Sequence, residues 1–168
     1  MKKLLGLVII LMISSTGFGQ DNGEIAVPFS DPGKKGKLRV DLRKGSIEVI
    51  GTNRKDVLVS YAARSSNKSD KMERNGLKLI SSAAVNLEIS EKNNYVIVES
   101  DSWNKGVDVK VEVPSTIDLH LETYNNGVIY LSNIKGEVVT DNYNGKITAD
   151  KISGSLVADT YNQGPRHH

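Results

Sequence analysis

The sequence predicts an all-β chain: a single-domain β-solenoid, parallel β-helix-like, of nine-residue units at about two per coil, with an N-terminal meander of strands. Three observations predict it. Glycine recurs every ninth residue at Gly127, Gly136, Gly145 and Gly154. Counting each glycine as the first position of its unit, the third is apolar (Ile129, Val138, Ile147, Leu156) and the fifth is apolar or small (Leu131, Thr140, Ala149, Ala158). Because strand side chains alternate, those two positions share one face. Turn chemistry such as "DNYNGK" and "KISGS" separates the short runs and excludes a helix. Each unit therefore reads as a short strand and a turn, where glycine adopts a φ closed to other residues. Stacked coils of such units bury a continuous core.

The elements follow in chain order. Lys2 and Lys3, the apolar run 4–13 and the small-x-small site Gly17-Phe18-Gly19 predict a signal peptide over residues 1–19. That run is too short to span a bilayer, which takes about 20 apolar residues, so no transmembrane segment is expected after cleavage. Residues 20–168 then form one domain. "GKLRVDLRKGSIEVIGTN" repeats the nine-residue grammar, with Gly36 and Gly45, Leu38 and Ile47, Val40 and Val49 in matching places. "DVLVSYAA", "VNLEISEKNNYVIVES" (a hairpin turning at Asn93-Asn94) and "VDVKVEVPSTIDLHLET" alternate as strands do. Residues 64–76 are irregular, a solvated loop or one helical turn capped by Ser69 and closed by Gly76.

The coil size comes from a longer period. The eighth position alternates Ile134, Tyr143, Ile152, Tyr161, and "NIKGEVVTDNYN" aligns with "KISGSLVADTYN" at an offset of 18. Two units per coil would stack Tyr143 on Tyr161 and Asn144 on Asn162, about 4.8 Å apart. "YNNG" ending at Gly127 is a looser third copy. A three-unit coil of 27 residues is the alternative and would break these ladders.

The order of "KLRVDLRKGSIEVIGTNRKDVLVSY" and then "VKVEVPSTIDLHLETYNNGVIYLSNIKGEVVTDNYNGKITADKISG" resembles the bacterial putative-adhesin family, a domain of unknown function. The shared features are G-x-[IV]-x-[LVA] modules and N-G turns after a V-x-V-P strand, here residues 109–114. The resemblance implies an exported β-solenoid and brings no catalytic or metal-binding residue with it. Relatives usually run on past the point where this chain stops.

Composition narrows the chemistry. The chain has no cysteine, hence no disulfide and no lipid-attachment thiol. It carries 22 Lys+Arg against 20 Asp+Glu, and loss of Lys2 and Lys3 with the leader leaves a neutral domain that offers nucleic acid nothing. The sixth positions (Ser132, Asp141, Asp150, Asp159) fit half of a calcium nonapeptide. Glycine is missing at the second and fourth positions, so these aspartates are expected to close turns by bonding backbone. Polysaccharide cleavage needs converging carboxylates, and the outward sets Glu137, Val139, Ser155, Val157 and Val128, Tyr130, Lys146, Thr148 offer no pair. His120, with Asp118 and Glu122 on its own strand face, reads as a surface histidine.

A possible ligand patch is the basic run Lys34, Lys35, Lys37 and Arg39, continued by Arg43 and Lys44, with Trp103 in the loop "SDSWNKG". Lysine on an edge strand also resists aggregation, and a large loop Trp also serves to cap a core. The sequence thus predicts a non-catalytic, adhesin-like binding or scaffolding module of the cell envelope or surface. It would lie in the periplasm, on the outer membrane or outside the cell, with an envelope glycan or surface protein as partner and no cofactor. The alternative is a polysaccharide-active β-helix enzyme. The end "DTYNQGPRHH" lacks an amphipathic cap, which predicts a C-terminally truncated solenoid or self-association through an open terminal coil.

Overall fold

The computed structural model describes residues 22–64 and 86–162. The leader, all of the 64–76 stretch except Arg64, and the final residues from 163 lie outside them. Twelve strands make up the described chain. They are β1 (Asn22–Pro28), β2 (Lys37–Lys44), β3 (Ile47–Thr52), β4 (Asp56–Ala63), β5 (Glu88–Lys92) and β6 (Tyr95–Ser100), followed by β7 (Val107–Pro114), β8 (Asp118–Asn125), β9 (Ile129–Ser132), β10 (Val138–Asn142), β11 (Ile147–Asp150) and β12 (Leu156–Thr160). No helix occurs among the described residues. Two open, mixed sheets of six strands each run β1-β4-β7-β3-β9-β11 and β12-β10-β8-β2-β6-β5.

From β6 onward the chain alternates between the sheets, one strand in each. Parallel pairing then sets like beside like. Ile47, Ile129 and Ile147 form one column, and Leu38, Leu119, Val138 and Leu156 another. These columns face inward and merge into one core that spans both sheets. Ile134 and Ile152 also turn toward the core while Tyr143 and Tyr161 turn out, which realises the 18-residue alternation. The core thins toward the last strands: Val138 is 1% exposed, and Leu156 in the same column is 39% exposed.

Two features depart from the reading of the sequence. The first is order. β2 and β3, early in the chain, sit mid-stack, with β2 between β6 and β8 and β3 between β7 and β9. The predicted N-terminal meander is reduced to antiparallel contacts, β1 on β4 and β4 on β7 in one sheet and β5 on β6 in the other. The β5–β6 hairpin turns where expected, with Asn93 and Asn94 both left-handed at φ 54 and 63.

The second is the cause of the glycine spacing. Among the described glycines only Gly45 has a left-handed φ, and the left-handed turn residues nearby are Asn126, Asn133 and Lys151. The repeated glycines are needed for close approach instead. A Cβ on Gly127 would overlap the Gly45 carbonyl, one on Gly145 the Gly127 carbonyl, and one on Gly154 the Gly136 carbonyl. The corner has room for a backbone and nothing more.

Candidate functional site: the outward face of the second sheet

Strand alternation sends every second residue of β2, β8, β10 and β12 outward, and register lines them into rows. The first row is aromatic. Tyr124, Tyr143 and Tyr161 stack with ring centroids 4.5 and 4.7 Å apart and planes 14° from parallel. This is the strand spacing expressed in side chains. Arg43 lies over Tyr124 at 4.6 Å and over Trp103 at 5.5 Å, closing the upper end as a cation–π contact. Trp103 is 57% exposed, so it does not cap the core. Partial desolvation, then the adjacent tyrosines, Asp141 and Glu122, push the Tyr143 phenol above its ordinary pKa.

Beside the tyrosines an asparagine ladder holds adjacent strands together. Asn162 Nδ2 donates to Asn144 Oδ1 at 3.0 Å, and Asn144 Nδ2 to Asn125 Oδ1 at 3.2 Å. Beneath it a buried polar corner anchors the turns. Thr123 Oγ1 donates to the Gly45 carbonyl at 2.7 Å, and the Asn142 amide donates to the Gly127 and Lys146 carbonyls.

The second row is acidic. Glu88, Glu99, Asp41, Glu122, Asp141 and Asp159 stand opposite one another across all six strands of the sheet. Like charges directly opposed are destabilising, and Arg39 relieves the centre by donating from Nη2 to Asp41 and Glu122, both at 3.1 Å. Partial burial alone would lower the Arg39 pKa, but the bond and charge of Glu122, with Asp41, hold it above its ordinary value. The sequence reading missed this row. Asp141 and Asp159 lie inside strands β10 and β12 and, among the described residues, accept no backbone N–H with their carboxylates, so they are not turn-closing residues there. Their periodicity was visible; their partners were not, because Asp41 and Glu122 come from distant strands. A converging pair, Glu122 and Asp141, therefore exists where none was expected.

Of the predicted basic patch, three residues are ion-paired. Lys34 pairs with Asp31 at 3.0 Å, Lys35 with Asp118 at 2.6 Å, and Arg39 with the acidic row. Lys37 is exposed on β2, sharing the Arg39 face. Trp103 packs at the far end of β2 against Arg43, away from Lys34 and Lys35. Burial would raise the Asp118 carboxyl, but hydrogen bonds from Lys35 and the Glu137 N–H, with the charges of Lys35 and Lys37, hold it below its ordinary value.

No family model matches the chain, and no curated protein matches it. Among solved structures, the crystal structure of a putative cell adhesion protein from Clostridium sporogenes is similar over 74% of this chain, at 11% identity and a TM-score of 0.41. The chain spans 59% of the length of that protein.

Proposed function

We propose that this chain is a non-catalytic, exported envelope or surface protein, an adhesin-like module whose alternating strands are the coils of a two-sheet β-solenoid. The observation that carries the reading is the aromatic row of Trp103, Tyr124, Tyr143 and Tyr161, in which Tyr124 lies on β8, Tyr143 and Tyr161 directly follow β10 and β12, and Trp103 stands in the loop after β6. Trp103 and Tyr161, 57% and 62% exposed, offer aromatic surface at its two ends. Amphipathic rings suit contact with sugars or a protein surface, and the neighbouring carboxylates accept hydrogen bonds from hydroxyls. Export is supported by the leader-like residues 1–19. Self-association is supported by the exposed Leu156, Val157 and Val139 on the last strands.

Binding of the purified chain to envelope glycans and surface-protein extracts, compared with Trp103→Ala and Tyr161→Ala variants, tests the proposal. Loss of binding in these variants with retention in Lys146→Ala supports it; equal binding by all four removes the aromatic row from the function. The rival, polysaccharide cleavage, is favoured by the Glu122 and Asp141 carboxylates lying within 4.8 Å. Hydrolysis of a polysaccharide, abolished in Asp141→Asn, would establish it instead.

A further inference from the structure

We propose that His120, Glu122 and Asp141 hold a divalent transition-metal ion of the zinc class on the outward face of the second sheet. Parallel register sets Asp141 beside Glu122 and Val139 beside His120, and two-residue alternation turns His120, Glu122 and Asp141 to one side. One ligand atom from each lies within 4.8 Å of the others. Donors at zinc–ligand distances around a tetrahedral ion are roughly 3.4 Å apart, and His120 Nε2 is already 3.7 Å from Glu122 Oε1. Side-chain rotation closes the remainder.

The surroundings favour a cation. Arg39 holds Glu122 through Oε2, which leaves Oε1 turned toward His120; such outer partners commonly orient metal ligands. Asp41, opposite Glu122 on the next strand, has a buried Oδ1 without a hydrogen-bond partner. Three carboxylates thus stand in line, and the one guanidinium beside them bonds two, Asp41 and Glu122. An imidazole with two carboxylates suits zinc, whereas calcium and magnesium take all-oxygen sets. Three protein ligands leave a fourth position for water or for a donor from a partner. The site stands independently of the glycan reading.

The test uses a chain carrying His167→Ala and His168→Ala, so that His120 is its sole imidazole. Zinc chloride is titrated calorimetrically in a non-chelating buffer while the His120 ring resonances are followed by NMR. One saturable equivalent and displaced ring resonances are expected. Affinity should fall by about tenfold or more in His120→Gln and in Asp141→Asn, while Asp159→Asn, in the same row outside the trio, stays within about twofold. Absence of saturable binding, or unmoved ring resonances, would overturn the site. So would equal affinity in His120→Gln, or in Asp141→Asn if the histidine variant does not fold.

Discussion

Replacing Asn142 by Ala tests the buried corner most directly. The side chain is fully buried, and makes three hydrogen bonds: to the Gly127 carbonyl at 3.2 Å, to the Lys146 carbonyl at 3.3 Å, and from the Asn144 N–H at 3.2 Å. Each is worth about 1 kcal/mol net, and a buried group left unsatisfied costs about 1–3 kcal/mol. The losses are unequal. The Lys146 carbonyl keeps the Ile129 N–H at 2.9 Å, and Asn144 is exposed, so water can replace its acceptor. Gly127 is buried, and its carbonyl is the group that suffers. The expected cost is therefore about 2–3 kcal/mol, seen as a lower urea midpoint at unchanged m, or a Tm lowered by about 6–9 °C. Asn144→Ala, which breaks the exposed ladder and the exposed bond from Asn144 Nδ2 to the Tyr124 carbonyl, should stay within about 0.5 kcal/mol. Equal effects from the two, or an Asn142→Ala midpoint indistinguishable from wild type, would refute the claim that the corner amide secures the turn.

Gly145→Ala should destabilise by about 2–4 kcal/mol, since the added Cβ meets first the Gly127 backbone carbonyl and then the Asn142 side chain; a neutral midpoint in urea would show the corner to be roomier than described. Ile129→Ala should cost about 3–4 kcal/mol, and Ile147→Ala, half-buried in the same column, about 1–2 kcal/mol; the reverse order would place the thin end of the core elsewhere. Asp118, with a depressed pKa in the fold, adds stability that is present above the unfolded carboxylate value and is lost as pH falls through the folded value. The Tm gap between wild type and Asp118→Asn should therefore be full at pH 6 and shrink below about pH 4, and a gap independent of pH would contradict the Lys35 pairing.

Local chemistry was legible in the sequence; partnership was not. The inward columns, the Asn93-Asn94 hairpin and the stacking of Tyr143 on Tyr161 all follow from period-2 alternation and an offset of 18, which act within a few dozen residues. The β2–β3 placement depends on which distant strand supplies the best-matched edge, and nothing in its own residues names that strand. The acidic row shows the difference. Asp141 and Asp159 repeat visibly, yet only the pairing of β2 with β8 joins them to Asp41 through Glu122. The glycines were found for a partly wrong reason, because a steric requirement set by a neighbouring backbone carbonyl looks in sequence like a requirement on φ.

The mid-stack position of β2 and β3 governs how the chain can fold. In a simple repeat array, structure nucleates anywhere and spreads to the neighbouring unit. Here the contacts of the last strands close short loops, as between Asn144 and Asn162 at a separation of 18 residues, whereas Arg39 must find Glu122 across 83. Loop closure grows costlier with length, and non-local pairing slows folding. β2 and β3 therefore cannot take their final neighbours until β6 to β9 have been synthesised. The delay ends in a lock: once seated, β2 joins the β5–β6 hairpin to the repeating strands and β3 joins β4 and β7 to them, and neither sheet can open at its middle without parting strands far separated along the chain.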